Sequence, residues 1–273
     1  NPSWGHTIKS EEFRTSYERA KRSLTDFKNW KMYRLNVWST STNVWLRQSD
    51  WNACGVNYTL EDLEGSDCYL ALDLSKTRDM TAAVACFPQD DGSFRFWPWF
   101  WLPKETAEQN NHKSPYLEWA NVGHLELTEG NVIDYSRVEA TIKEIGERFN
   151  VLELAFDPMY AEELTQRVED ETGIPRVQYR QTIVHYAGPT AEFERLVMSG
   201  GLQHPKNPIL SWQAGNVEIK TDVNQNKRPV KPKADNHRKI DGIVAAIMAL
   251  GRAISTEQQP NYDFYESNTV ELI

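Results

Sequence analysis

The sequence has few cysteines and no long apolar run, and each shortage excludes a class of protein. Its three cysteines form no C-x-x-C pair and show no Cys/His spacing of a zinc site, which excludes a disulfide scaffold and a zinc module. We therefore expect buried thiols in a reducing cytosol. No stretch approaches the roughly 20 apolar residues of a membrane span, and the first residues lack a signal-peptide pattern. The sequence predicts a protein without a membrane segment.

An excess of basic residues is also lacking. The formal net charge is -9 and the pI is about 5.3, whereas proteins that coat nucleic acid without sequence preference usually carry a basic excess. Any contact with nucleic acid must therefore be local. The 273 residues, 40% of them hydrophobic, can bury a substantial core. The first residue is Asn1 and not Met, which indicates a piece or a processed product of a longer chain.

Three aspartates stand out because each lies in an apolar frame. Asp73 ends one apolar run, Asp157 follows another at 152–156, and Asp241 adjoins a third at 243–250. A carboxylate at such a position costs desolvation energy unless a positive charge compensates it. Oxygen-rich sites of this kind suit Mg²⁺ or Mn²⁺. If the three aspartates converge, the sequence predicts metal-dependent phosphoryl chemistry.

The pattern along the chain predicts an α/β protein. Residues 1–66 are polar and rich in Trp, with a possible helix near 11–24, and we interpret them as an extension packed on a main domain at 67–273. Apolar runs separated by turn residues predict an antiparallel meander, and alternating helices and strands after it predict a mixed sheet flanked by helices. The predicted strands are 68–74, 80–87, 94–102, 151–156 and 176–179, and the predicted helices are 115–122, 136–149, 161–172, 189–199 and 238–254. Asp241 would then lie within the last helix, at the margin of its apolar stripe.

One basic segment interrupts this acidic chain and leads directly to Asp241. A charge run is often just a solvated face, but its position here favours contact with a DNA backbone. The basic residues of the segment are Lys220, Lys227, Arg228, Lys231, Lys233, Arg238 and Lys239.

Other polar residues admit two interpretations each. Asp79 follows the first strand and could help to bind a metal, although turns commonly use Asp for local hydrogen bonds. Asp157 precedes a proline and could cap a helix as well as bind a metal. His237 could orient water or contact a phosphate, or belong to the start of the last helix. The rings at 94–101 are expected to fill the core with one strand face and to contact a subdomain with the other.

These motifs together resemble a known family. The segments 73–81, 157–161 and 236–250 resemble the nuclease domain of the large terminase subunits of tailed bacteriophages, and the order of the three aspartates makes the resemblance specific. The opening segment 1–51 resembles the stretch that joins the terminase ATPase domain to its nuclease. The Gly-x-x-x-x-Gly-Lys-Ser/Thr phosphate loop of the ATPase is missing from this sequence.

The resemblance implies a fold, a reaction and partners. The family's nuclease has an RNase H-like mixed sheet that opens with an antiparallel meander. Asp73, Asp157 and Asp241 would hold two divalent cations, Mg²⁺ or Mn²⁺, for hydrolysis of double-stranded DNA, and the product would be viral genomes cut from concatemers during packaging. The partners implied are the terminase ATPase domain, the small terminase subunit and the portal, in the host cytoplasm and outside the mature virion.

Three alternatives stay open from the sequence. Another RNase H-like nuclease, such as a junction resolvase or a transposase core, would share the three acids. A non-catalytic docking module of a packaging motor would use the Trp-rich extension and would not need them. A carbohydrate-binding role would need exposed aromatic platforms.

Overall fold

The structure is a computed structural model that describes residues 9–20, 30, 34–35, 45–75, 77–232 and 238–257. The chain divides into two compact units, 1–44 and 45–273. In the first unit, helix α1 spans Ser10–Ala20, within the predicted 11–24 region apart from its first residue. The ring of Trp30 lies 4.8 Å from that of Phe13 and its indole donates a hydrogen bond to Ser16.

Residues 45–66 belong to the second unit, although the sequence analysis assigned them to the extension. Helix α2 (Gln48–Ala53) carries Trp51, which is only 1% exposed and stacks on His204, with ring centroids 4.3 Å apart. A short 3-10 helix follows at Glu61–Leu63. These residues thus help to build the core of the second unit, while the interpretation of 1–66 as a junction with an ATPase domain stays a prediction.

The predicted antiparallel meander is confirmed. Strands β1 (Asp67–Asp73), β2 (Thr81–Pro88) and β3 (Phe94–Pro103) pair antiparallel in sequence order, and β1 and β2 are buried on both faces. Alternate residues of β3 point to opposite sides: Phe94, Phe96 and Phe100 are buried, whereas Trp97 and Trp99 are half-buried. One face of this aromatic strand therefore fills the core, as predicted.

The meander belongs to a mixed sheet that has seven strands in the described part of the chain. Its order is β4-β3-β2-β1-β5-β6, with β7 added beside β3, and the pairs β1/β5, β5/β6, β3/β4 and β3/β7 are parallel. The remaining strands are β4 (Glu126–Thr128), β5 (Asn150–Phe156), β6 (Arg176–Gln178) and β7 (Leu202–Gln203). A separate hairpin consists of β8 (Glu218–Thr221) and β9 (Lys227–Val230).

Helices cover both faces of the sheet, which confirms the predicted α/β architecture. The helices after α2 are α3 (Lys104–Asn110), α4 (Tyr116–Asn121), α5 (Tyr135–Arg148), α6 (Pro158–Thr172), α7 (Ile183–Ser199), α8 (Pro208–Ala214) and α9 (Asp241–Glu257). Helices α5 and α6 pack on one face, and α7, α8 and α9 pack on the other. Helices α3 and α8 and the β8–β9 hairpin were not predicted from the sequence.

Helix α7 begins earlier than predicted, because it continues through Pro189. A proline inside a helix leaves the carbonyl four residues earlier without its partner. Here that carbonyl belongs to His185, and it accepts a hydrogen bond of 2.9 Å from the hydroxyl of Tyr179. The interruption is therefore compensated by a side chain from outside the helix, which the sequence pattern could not indicate.

Helix α9 corrects two expectations about Asp241. The helix begins at Asp241 and not at 238, so this residue lies in the first turn and not inside the helix. Positions 240–251 are all buried, so α9 is a central helix surrounded by protein and not one with a single apolar stripe. It packs against β1, β2, α7 and α8. A carboxylate in the first turn is favoured by the helix dipole, which the predicted mid-helix position would not offer.

All three cysteines lie in the described part of the chain, where they are buried and form no disulfide, as predicted. None of the described helices is both long and apolar enough to cross a membrane.

Candidate active site

Strand register brings two of the predicted aspartates to the same edge of the sheet. In the parallel pair β1/β5, Leu72 lies opposite Phe156, so Asp73 and Asp157 come next along neighbouring strands. Side chains alternate along a strand, and Ala71 and Ala155, two positions earlier, belong to the core cluster that includes α9. Asp73 and Asp157 are thus directed toward the face of the sheet on which α9 packs.

Asp157 also has the capping role that its proline neighbour indicated. It is the N-cap of α6, its Oδ1 accepts a hydrogen bond of 3.0 Å from the N–H of Met159, and Pro158 occupies the first turn. Capping fixes this carboxylate at the end of β5. Its predicted role as a metal ligand stays a prediction.

Asp241 approaches the same edge from the first turn of α9. Its side chain is 7% exposed, and its Oδ1 lies 3.0 Å from the ammonium nitrogen of Lys231. Its Oδ2 is buried and has no hydrogen-bond partner among the described residues. A buried carboxylate oxygen without a donor is costly, so this atom is a ready acceptor for a cation.

Gln181 is a site residue that the sequence analysis missed. Its Nε2 donates a hydrogen bond of 3.0 Å to Oδ1 of Asp73 from the loop that precedes α7. Its backbone carbonyl in turn accepts a hydrogen bond of 3.1 Å from Arg228. No periodicity or motif marks a lone Gln in a loop, and only the tertiary fold brings it to Asp73.

Two lysines of the basic segment lie among these carboxylates. The ammonium of Lys231 is 2.8 Å from Asp79 Oδ2 as well as 3.0 Å from Asp241, so it bridges the two acids. Lys239 lies 2.5 Å from the other oxygen of Asp79, which also accepts the N–H of Met80. Asp79 therefore has cationic partners of its own, while its proposed part in metal binding stays untested.

The charges of the site are unevenly compensated. Burial, and next the charge of Asp241, raises the pKa of Asp73 well above its usual range, while Lys231 partly offsets this rise. Burial likewise raises the pKa of Asp241, against the opposing effect of Lys231. For Asp79, burial is outweighed by Lys231 and Lys239, which hold its pKa below the usual value. Two of the acids are thus short of positive charge, and the third is not.

A cavity of about 790 Å³ opens above these residues. Its lining includes Asp73, Asp79 and Asp241, the cations Arg78, Arg228, Lys231 and Lys239, and the ring of Tyr160 on α6. Asp157 does not line the cavity, but Tyr160 lies three residues after it, one turn into the helix that Asp157 caps. The cavity lining therefore combines acidic groups with several cationic groups.

The donor set suits a divalent metal, although the side chains do not surround one. Among the described residues, no group of three or more His, Cys, Asp and Glu side chains is arranged to hold a metal ion. Lys231 instead provides the positive charge beside Asp241. Carboxylate oxygens are the ligands that Mg²⁺ and Mn²⁺ prefer, and Oδ2 of Asp241 lacks a partner in the described part of the chain. The residues fit such an ion.

The other predicted basic residues have different surroundings. Lys227 forms an ion pair of 2.7 Å with Glu194, and Lys220 is exposed on β8. Arg238 is half-buried just before α9. Lys233 and His237 lie outside the described residues, so the predictions for them remain as they were.

Comparison with known proteins places the chain in a family. Residues 1–257 match the family described as terminase large subunit, endonuclease domain. Protein YmfN of Escherichia coli strain K12 is 32% identical over 272 residues, which cover 95% of this chain and 59% of that protein. The large terminase subunit of Enterobacteria phage HK97 is 29% identical over 269 residues, or 96% of this chain and 52% of that protein. The chain thus spans little more than half the length of these relatives.

Solved structures agree with the sequence match. The crystal structure of the HK97 large terminase gives a TM-score of 0.69 at 28% identity, over 92% of this chain and 52% of that one. The large terminase nuclease of thermophilic phage G20c, with bound magnesium, gives a TM-score of 0.51 at 10% identity, over 78% of this chain and 98% of that one. The second likeness speaks for the fold alone, and the predicted RNase H-like fold is confirmed. The chain belongs to the family of terminase large-subunit endonuclease domains.

Proposed function

We propose that this chain is a divalent-metal-dependent endonuclease domain that hydrolyses phosphodiester bonds of double-stranded DNA during viral genome packaging. The observation that carries the proposal is Asp241 in the first turn of α9, with a buried Oδ2 that has no partner among the described residues. The β1/β5 register, which puts Asp73 and Asp157 at neighbouring strand ends, supports it. Membership of the terminase nuclease family and a G20c relative's bound magnesium agree with it.

In this proposal the three aspartates hold two divalent cations, Mg²⁺ or Mn²⁺. When bound, such ions supply an activated water and neutralise charge on the phosphate that is cleaved. Gln181 keeps Asp73 oriented through the hydrogen bond to Oδ1. Asp157 is kept in place by its capping bond to α6. The protein's part is thus to hold the carboxylates in a single arrangement.

The cations around the cavity would bind the DNA backbone. Arg78 and Arg228 line the same cavity as the carboxylates, so they would contact phosphate groups of a duplex that entered it. Lys231 and Lys239, now paired with acids, would turn to phosphates once metal ions compensate those acids. The exposed Lys220 on β8, and Lys227, Lys233 and Arg238 of the same segment, would extend this contact.

The proposal extends to the setting of the reaction. Residues 1–66 would include the junction with an ATPase domain, and the small terminase subunit and the portal would be further partners. The domain would act on concatemeric DNA in the host cytoplasm. An acidic domain with local basic groups suits a nuclease that is delivered to DNA by a larger machine and does not search for it alone.

The test is cleavage of a supercoiled plasmid in Mg²⁺, Mn²⁺ or EDTA by the parent and by Asp73→Asn, Asp157→Asn and Asp241→Asn. Each substitution keeps the side-chain volume and removes a charge, so we expect cleavage to fall on the order of 10²- to 10³-fold. Asp91→Asn, in the turn at the far end of β2, is the matched control and should cleave like the parent.

The outcomes separate the rival functions. Cleavage that survives in all three variants would refute the three-aspartate site. A parent that cuts four-way junctions in preference to duplex would point to a resolvase-like enzyme, and a parent that cuts nothing in any metal would favour a docking module. Unfolding in urea serves as the folding control. Because burial raises the pKa of Asp73, the neutral Asp73→Asn protein should be at least as stable as the metal-free parent.

A further inference from the structure

The first turn of α9 has an unusual hydrogen-bond partner. A helix leaves its first backbone N–H groups without partners, and a Ser, Thr, Asp or Asn before the helix normally accepts from them. The residue before α9 is Ile240, which has no side-chain acceptor. The N–H of Gly242 instead donates a hydrogen bond of 2.6 Å to Oε1 of Gln213, on α8. The acceptor that a capping residue would supply thus comes from another helix.

The amide of Gln213 has a hydrogen-bond partner at each of its two ends. It is 0% exposed, and its Nε2 donates to the sulfur of Met80 at 3.1 Å, just ahead of β2. Burying an amide costs desolvation free energy, which an apolar side chain of the same size would avoid, so the hydrogen bonds of the amide must offset that cost. Both ends of this amide are engaged, so it fixes the backbone of Gly242 relative to β2 and α8.

A second amide holds the other side of Asp241. Asn216, which follows α8 and is buried, donates a hydrogen bond of 3.1 Å to the carbonyl of Lys239. The backbone is therefore held at 239 and at 242, on both sides of Asp241. Helix α8 is itself anchored, since Trp51 donates a hydrogen bond of 3.1 Å to Ser211.

The close approach at Gly242 supports the same view. A Cβ added to this residue would lie 2.6 Å from the ring of Phe100 on β3 and 2.9 Å from Oε1 of Gln213. Only glycine allows α9 to begin so near to β3 and to Gln213. The start of the helix is thus fixed by packing as well as by hydrogen bonds.

We propose that Gln213 and Asn216 are positioning residues that set the place of Asp241 and thereby the metal affinity of the site. This inference rests on the proposed function, because it takes Asp241 to be a metal ligand. Neither amide reaches the reacting atoms. Each acts through the backbone that carries Asp241, as groups behind metal ligands commonly do.

The test measures Mn²⁺ binding by the whole chain, without DNA, using calorimetry or electron paramagnetic resonance. Gln213→Met keeps the buried volume and loses the acceptor for Gly242, and Asn216→Ala loses the donor to Lys239. We expect the dissociation constant to rise about 10-fold or more in each, the range seen for groups that orient metal ligands. Saturating Mn²⁺ should restore most of the cleavage rate.

A control separates positioning from general stability. Ile142→Val shortens a fully buried side chain of α5 on the opposite face of the sheet and should lower stability without changing Mn²⁺ affinity. If Gln213→Met and Asn216→Ala bind Mn²⁺ like this control and the parent, the inference is overturned. If the parent itself binds no Mn²⁺ and cuts no DNA, the proposed function fails first. Should Gln213→Met not fold, Asn216→Ala decides alone.

Discussion

The two ends of α9 make ionic contacts of opposite kinds. At the C-terminal end, the guanidinium of Arg252 makes two hydrogen bonds to the carboxylate of Glu153 on β5, and both side chains are about three-quarters buried. At the N-terminal end, burial raises the pKa of Asp241 and leaves its Oδ2 without a partner among the described residues. One helix thus carries an ion pair in which both carboxylate oxygens have a partner and another in which one oxygen has none among the described residues.

The largest expected effect comes from breaking the Arg252–Glu153 ion pair at the C-terminal end of α9. Arg252→Met keeps the aliphatic stem but leaves Glu153 as a buried charge without its partner. We expect a loss of about 2 kcal/mol in the free energy of unfolding, below the range for fully buried pairs because water reaches both groups. Urea unfolding measures it, and cleavage per folded molecule should not change.

Replacing both partners sharpens that result. In the double variant Glu153→Leu with Arg252→Met no charge is left alone, so most of the stability should return. A double variant as unstable as Arg252→Met would show that packing and not the lone charge causes the loss.

The next effect concerns Asp241 at the N-terminal end of α9, where Lys231 would compete with a metal cation. Lys231 holds a positive charge beside Asp79 and Asp241, and this charge repels an approaching cation. Lys231→Met should therefore tighten Mn²⁺ binding in the absence of DNA by about tenfold. Calorimetry measures the affinity, and Lys220→Met, on the exposed side of β8, is the control that should bind as the parent does. Weaker binding by Lys231→Met would mean that the lysine supports the metal.

The smallest effect comes from the buried His204, whose two ring nitrogens both have hydrogen-bond partners only when the ring is neutral. His204 is 2% exposed, its Nε2 lies 3.0 Å from the carbonyl of Trp51, and its Nδ1 accepts from the N–H of Lys206. Both nitrogens are satisfied by the neutral ring, and a proton on Nδ1 would remove the acceptor. Burial accordingly lowers the pKa of His204 below its usual value.

The lowered pKa of His204 makes the free energy of unfolding depend on pH. Below about pH 6.5 the unfolded chain binds a proton that the folded chain resists, so stability is lost as the pH falls. Urea midpoints at about pH 7.5 and about pH 5.5 should differ less for His204→Phe than for the parent. His112→Gln, at an exposed histidine, is the matched control for the loss of a histidine ring. An unchanged slope in His204→Phe would contradict this account.

The sequence was a good guide to local structure. Strands β1, β2 and β3 could be predicted because apolar runs alternate with turn residues. Asp73 at the end of β1 and Asp157 just after β5 could be placed for the same reason, while their role stays a prediction. The start of α7 was predicted too late, since Tyr179 compensates Pro189 from outside the helix. The burial of α9 on all sides was missed for a similar reason. A helical pattern indicates which residues share a face, and only the packed fold shows how many faces are covered.

The residues that support the site could not be predicted. Gln181, Gln213 and Asn216 are single amides in segments without a periodic pattern, and they meet their partners only through contacts distant in sequence. The position of the Lys231 ammonium between Asp79 and Asp241 was also missed, because the sequence indicated only DNA contact for this residue. An acidic residue in an apolar segment stands out in the sequence pattern, whereas a single amide in a loop does not.

The central position of α9 has a consequence for when the candidate site is completed. This helix is the last described element of the chain, yet it covers the middle of the sheet and brings Asp241 to the site. During synthesis at roughly 5–20 residues per second, β1, β2 and β5 emerge well before it. A ribosome-bound chain therefore carries Asp73 and Asp157 without Asp241, and an interrupted chain exposes the apolar sheet face that α9 would cover. Completion of the core and arrival of Asp241 at the candidate site are thus the same event.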